Sequence, residues 1–83
     1  MEALTERIKL LLCEHVAPEL DVRDIGDDDG LIRDLSLDSL QLLSLISELE
    51  KAFDFVLEDE DLDIQSFENV TSVARFVQKK LER

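Results

Sequence analysis

One cysteine, one proline, one histidine and two glycines in 83 residues leave little material for disulfides, metal sites or phosphate loops. Cys13 has no partner for an internal disulfide, and among Leu10, Leu11 and Leu12 it reads as a small core hydrophobe. His15 has no second histidine to share a metal and reads as a cation near a helix C-terminus, so no metal site is expected. Nothing resembles a nucleophile elbow or a Gly-rich phosphate loop, which argues against intrinsic hydrolase or transferase chemistry. No apolar run is long enough to span a membrane. Met1-Glu2-Ala3-Leu4-Thr5-Glu6 also lacks a basic-then-apolar signal, so a soluble, intracellular, cytoplasmic chain is expected. Basic charge is scarce as well: nine Lys and Arg stand against 21 Asp and Glu, a net charge of -12. Such a surface repels nucleic acid and anionic membrane and complements basic protein surfaces.

What is present fits one small domain over residues 1–83. Hydrophobic residues make up 45% and charged residues 36%, enough for a single core but not for a deep, walled catalytic cleft. Leu4, Ile8, Leu11, Leu12 and Val16 recur at three- and four-residue steps, predicting a first helix that runs to about His15 and stops before Pro18. Residues 17 to 37 hold the only proline, both glycines and Asp27-Asp28-Asp29-Gly30. They predict a long loop, functional or ordered by turns of its own, with Leu31, Ile32 and Leu35 tacking it to the core. Its aspartates do not make a calcium loop. Aligning the required glycine on Gly30 puts Ile25 at the first ligand position and Ser36 at the last, and aligning on Gly26 puts Arg23 at the third.

The second helix is the most legible element, with Leu42, Leu45, Ile46, Leu49 and Phe53 on one face. Asp38 is its expected N-cap, Gln41 completes a capping box, and Leu37 with Leu42 forms a hydrophobic staple. Ser39 then occupies the first helical position with a hydroxyl that the cap does not use. Leu62, Ile64 and Phe67 suggest a short, irregular helix. A last helix starts near Thr71, packs Val73, Phe76, Val77 and Leu81, and gathers Arg75, Lys79, Lys80 and Arg83 toward its C-terminus. The predicted fold is all-α: three longer helices, one short helix, and a long loop between helices one and two. Between Glu19 and Glu68 lie seventeen carboxylates against Arg23, Arg33 and Lys51, so the acidic face belongs to the long loop and the middle of the chain. Without a base and an orienting group Ser39 is no nucleophile, but a helix N-terminus tolerates a phosphate ester installed by another enzyme.

Over essentially its whole length the chain resembles an acyl carrier protein. The likeness lies in Asp34-Leu35-Ser36-Leu37-Asp38-Ser39-Leu40 and the helix after it, in Phe53-Asp54-Phe55, in Asp59-Glu60-Asp61 and in Val70-Thr71-Ser72-Val73. The resemblance implies a four-helix bundle that is not an enzyme. It implies 4′-phosphopantetheine esterified to Ser39 between Asp38 and Leu40, installed from coenzyme A by a phosphopantetheinyl transferase. It also implies acyl cargo carried as thioesters on that arm, the attached chain folding back among apolar residues such as Ile46, Leu49, Leu62 and Ile64. Expected partners are that transferase and acyl-loading ligases and synthases with basic docking patches, met by a monomeric carrier.

The chain also departs from the fatty acid synthesis type. Ser36 stands where that type usually has Gly, Gln41 and Ser44 where acids are common, Ser47 where Met is frequent, and Lys51 where an acid is frequent. The docking strip of Leu40, Gln41, Leu43, Ser44, Ser47 and Lys51 is therefore less acidic and more apolar, and which synthase and transferase recognise it is left open. Ser66-Phe67-Glu68-Asn69-Val70 is closer to carriers of specialised pathways, aminoacyl or polyketide types included. The Gly-Gly-[His/Asp]-Ser pattern of peptidyl carriers is absent. The competing reading is an unmodified acidic helical adaptor that docks a basic protein partner.

Overall fold

The structure is a computed structural model that describes residues 2–61 and 63–82; of Glu2 and Asp59 only the backbone is described. Three α-helices frame it: α1 (Glu2–Leu11), α2 (Ser39–Phe53) and α3 (Val70–Leu81). The fold is all-α, as the apolar periodicity and the resemblance both predict.

Helix α1 continues into a π-helical turn, Leu12–Val16, so the helical path ends where the sequence places it. Pro18 disfavours a helical conformation in the residue before it, and Ala17 accordingly leaves the helix at φ -137°, ψ 78°, its N–H donating to the Leu12 carbonyl at 2.7 Å. Ile8 and Leu12 are fully buried, and Leu4, Leu11 and Cys13 pack at the margin of the core. The Arg7 guanidinium lies 4.6 Å from the Phe53 ring centroid, a cation over an aromatic face that joins α1 to the end of α2.

The long loop is ordered by its own carboxylates. Asp21 caps a 3-10 turn (Val22–Asp24) by accepting from the Arg23 N–H at 2.9 Å. Asp29 accepts from the Gly26 N–H at 2.9 Å, and Asp34 from the Gly30 N–H at 2.7 Å. The Gly30 bond, then the Arg33 guanidinium, holds the Asp34 carboxyl below its ordinary range. A depressed carboxylate adds stability that is in place above its unfolded pKa and is lost as pH falls through its folded one. The loop is also fastened to the start of α3. The Leu31 N–H donates to the Glu68 carbonyl at 2.9 Å, the Thr71 N–H to the Asp27 carbonyl at 3.0 Å, and Gly30 and Asn69 form an isolated antiparallel bridge. Lys9 of α1 meets Asp27 at 2.7 Å. Ile25, Leu31 and Leu37 fill the core, and Leu35 is half-buried. Ile32 is not a tack: with Leu31 taking the inward place, its neighbour is left 51% exposed.

On α2, Leu45 and Leu49 are buried, with Leu42, Ile46 and Phe53 packed beside them. The helix stops at Asp54, which adopts the left-handed conformation (φ 56°, ψ 57°), a role short polar side chains tolerate. The Glu50 carboxylate accepts from the Leu57 N–H at 2.7 Å and turns the chain back. Instead of one short helix, two 3-10 turns follow, Asp59–Asp61 and Ile64–Phe67. Asp63 caps the second by accepting from the Gln65 N–H at 3.0 Å, and Lys80 of α3 grips Asp61 at 2.7 Å with both side chains largely desolvated. Phe67 enters the core, its ring centroid 5.3 Å from that of Phe76. Leu62 and Arg83, both assigned parts in the sequence, lie outside the described residues.

Helix α3 starts one residue earlier than expected because Asn69 caps it, accepting from the Ser72 N–H at 2.8 Å. Val70, Val73, Ala74 and Val77 are its buried face; Leu81, in its final turn, is 50% exposed and does not pack.

Among the described carboxylates of the loop and middle, ion pairs join Asp21, Asp27, Asp34, Glu48 and Asp61 to a cation, against seventeen acids in that stretch. Self-repulsion then exceeds what pairs such as Lys9–Asp27 contribute. Raising ionic strength from low to physiological, where the Debye length falls to about 8 Å, is expected to raise the melting temperature. Melting curves that fail to move, or move down, would show that the ion pairs outweigh the repulsion.

Candidate functional site

The N-terminus of α2 is built from both directions. The Gln41 N–H donates to the Asp38 carboxylate at 2.8 Å, and the Asp38 N–H donates to the Gln41 side-chain oxygen at 3.1 Å, so the capping box forms as the sequence predicts. The staple residues hold as well, Leu37 buried and Leu42 packed against the core. Leu37 is pinned from behind, its N–H donating to the Leu31 carbonyl at 3.0 Å.

Between these fixed points Ser36 takes φ 63°, in the left-handed region. That conformation costs an L-residue about 1–2 kcal/mol and costs glycine little. The position where the fatty acid type usually has Gly is thus one where this chain carries backbone strain. Ser36→Gly is expected to raise stability by about 0.5–1 kcal/mol, part of the relief being offset by the greater unfolded-state freedom of glycine. It should appear as a higher urea midpoint with an unchanged slope; an unchanged or lower midpoint would show that Ser36 is not strained.

Ser39 is the first residue of the helix and is exposed. Among the described residues its hydroxyl makes no hydrogen bond, since Asp38 and Gln41 complete the cap between them. The helix start leaves the N–H groups of Ser39 and Leu40 without intrahelical acceptors, and the positive end of the helix dipole faces the same way. Apart from the cap itself, the first turn holds no acid. An exposed, unengaged hydroxyl next to free N–H donors suits a phosphodiester linkage.

Along the helix, Leu40 and Leu43 are 75% and 59% exposed, and Ser44, Ser47 and Lys51 are exposed with them. The two leucines belong to the surface rather than the core. Gln41 does not belong to that strip as a free side chain. It is half-buried, and its amide nitrogen donates to the Val16 carbonyl at 3.3 Å. An acid there could close the box but would have no N–H for Val16, so the side chain that the sequence assigned to docking is engaged in tying α2 to the end of the first helical segment.

Of the residues expected to line an acyl pocket, Leu62 lies outside the described residues, and Ile46, Leu49 and Ile64 differ in their surroundings. Leu49 is a core residue at 1% exposure, Ile46 is half-buried, and Ile64 is 75% exposed. Ile64 instead lines a cleft of about 310 Å³ with Ile32, Arg33 and Phe67. The 3-10 turn sets Phe67 inward and leaves its first residue out, which the apolar spacing alone does not reveal. Among the described residues no helix is long and apolar enough to cross a membrane. No group of three or more His, Cys, Asp and Glu among them could hold a metal ion.

The family described as "Phosphopantetheine attachment site" matches residues 11–77. The acyl carrier protein of Phytoplasma australiense is 37% identical over 76 residues, covering 92% of this chain and 95% of that one. The acyl carrier protein of Desulforapulum autotrophicum is 30% identical over 74 residues, covering 89% and 92%. The solution NMR structure of a holo acyl carrier protein from Nitrosomonas europaea superposes with a TM-score of 0.82 at 28% identity, covering 100% of both chains.

Proposed function

The chain belongs to the acyl carrier protein family, and from that premise we propose that Ser39 is the residue that carries its covalent 4′-phosphopantetheine. Membership makes it a carrier rather than a catalyst, one that meets a phosphopantetheinyl transferase and acyl-handling enzymes. The single observation supporting Ser39 is its unengaged hydroxyl at the first position of α2, where Asp38 and Gln41 have already taken the capping role.

Each neighbouring residue has a part in presenting that hydroxyl. Asp38 and Gln41 fix the first turn, and the amide of Gln41 holds that turn against Val16. The Ser39 and Leu40 N–H groups offer donors to a phosphate, offsetting the nearby charge of Asp38. When bound, the group supplies a flexible arm whose thiol holds cargo as a thioester. Leu40, Leu43, Ser44 and Ser47 give partners a surface of apolar and hydroxyl groups, while the carboxylates of the long loop supply long-range attraction to basic patches. Such attraction speeds encounter and is weakened by salt, which suits a carrier that must leave each enzyme. The scarcity of acids on this strip supports a specialised member, serving acyl, aminoacyl or polyketide chemistry, over the housekeeping fatty acid carrier. The chain acts as a monomeric single domain.

The test is intact mass after incubation with coenzyme A and a broad-specificity phosphopantetheinyl transferase. Wild type and Ser36→Ala should each gain one phosphopantetheine. A wild-type chain that gains nothing where a control carrier is fully modified would favour the unmodified adaptor.

A further inference from the structure

We propose that the cleft between the 3-10 turns and α3 receives a helix of a partner protein, one with acids along one edge, bases along the other and apolar residues between. The proposal does not depend on Ser39.

The cleft holds about 640 Å³, and its two walls carry opposite charge. Glu58, Glu60 and Asp63 line the side of the turns, and Arg75 and Lys79 line the side of α3. These two cations differ from the other described bases. Arg7 lies over the Phe53 ring, and Lys9, Arg23, Arg33, Lys51 and Lys80 each meet a carboxylate. Among the described residues Arg75 and Lys79 have no such partner, although both are exposed and acids line the opposite wall of the same cleft. A carboxylate arriving from another protein would supply a contact that the fold itself does not.

The walls are held apart on a fixed frame. Lys80 grips Asp61 at 2.7 Å, and the same carboxylate accepts from the Glu58 N–H at 3.0 Å, so the first turn is tied to α3 at one point. Between the walls lies the half-buried Phe76, its ring centroid 6.0 Å from that of Phe55 and 5.3 Å from that of Phe67. Braced on two sides, that ring gives the cleft a rigid apolar floor.

Charge complementarity selects the occupant. The wall of the turns and the net charge of -12 repel a purely acidic segment, and Arg75 and Lys79 repel a purely basic one. A helix with one edge of each sign satisfies both walls. Arg75 and Lys79 stand four residues apart on α3, about 6 Å along its axis, which is also the step between acids at i and i+4 on a helix lying alongside. No residue of the α2 strip lines the cleft, so this contact is separate from the surface beside Ser39.

The probe is a synthetic helical peptide with glutamates along one edge, lysines along the other and leucines between, titrated into the full chain and followed by backbone-amide NMR. Saturable shifts should centre on Asp63, Gln65, Ser72, Arg75, Phe76 and Lys79, and the affinity should fall as salt is raised. Arg75→Ala combined with Lys79→Ala, at exposed positions, should melt as wild type does and bind about fivefold more weakly. Arg23→Ala, which removes a cation elsewhere, should bind as wild type does. Equal affinity in the double variant would overturn the proposal, as would a titration to millimolar peptide that moves no amide. Shifts confined to Leu40, Leu43 and Ser47 would assign the peptide to the α2 strip and refute the cleft. Sedimentation showing that the chain alone pairs, and that the double variant does not, would give the cleft to a second copy and also refute it.

Discussion

Ser39→Ala is expected to melt within about 0.5 kcal/mol of wild type, as an exposed substitution that leaves the cap bonds in place should, and to accept no phosphopantetheine at all. The two halves of that result come from one geometry. The Asp38 carboxylate accepts from the Gln41 N–H, and Gln41 returns the bond to the Asp38 N–H, so the cap does not use the Ser39 hydroxyl and removing it takes nothing from the fold. Asp38→Ala is the contrasting variant. It keeps the hydroxyl but should cost about 1 kcal/mol through loss of the cap.

A thiol assay gives a second readout of the Ser39 variant. The unloaded chain has one thiol, Cys13. Burial pushes its pKa up, and the charges of Asp21 and Glu14 push it further, so it should react slowly because the thiolate is the nucleophile. The loaded wild type should gain a second, fast-reacting thiol that Ser39→Ala never acquires. A Ser39→Ala chain that still gains the mass and the fast thiol would move the attachment elsewhere, with Ser36 the next hydroxyl to substitute.

The start of α2 was legible because its determinants lie within six consecutive residues. Cap, box and staple are local interactions, and Leu37 to Leu42 encode all of them. The features that sequence reading missed depend on contacts across the chain. Gln41 bonds Val16, 25 positions away, and only the folded arrangement shows that its amide is engaged rather than offered to a partner. Leu31 and Ile32 are equally apolar neighbours, and it is the tie from Leu31 to Glu68 that decides which points inward. The stretch after α2 was expected as one irregular helix, but Asp63 starts a fresh turn at Ile64 while Lys80 holds Asp61 from α3. Gln41 did carry a usable signal: an amide at the third helical position, where an acid would serve the box equally well, suggests that its extra donor has a use.

Two leucines of α2 give the largest expected effect on stability and separate its two faces. Leu49 is 1% exposed in the core, and Leu43 is 59% exposed on the strip. Leu49→Ala removes buried methyl groups and leaves a void that close-packed neighbours fill only in part, at a cost of about 2–5 kcal/mol. In a domain of this size each kcal/mol moves the melting temperature by roughly 4–8 °C, so the loss should be plain in a thermal scan and in the urea midpoint. Leu43→Ala should melt within about 0.5 kcal/mol of wild type. If Leu43 is part of the docking surface, its truncation should instead slow loading, raising the transferase KM for the carrier with kcat little changed, because binding rather than chemistry is lost. A Leu49→Ala chain as stable as wild type would mean the core is looser than its burial implies. A destabilised Leu43→Ala would return that residue to the core and remove it from the docking strip.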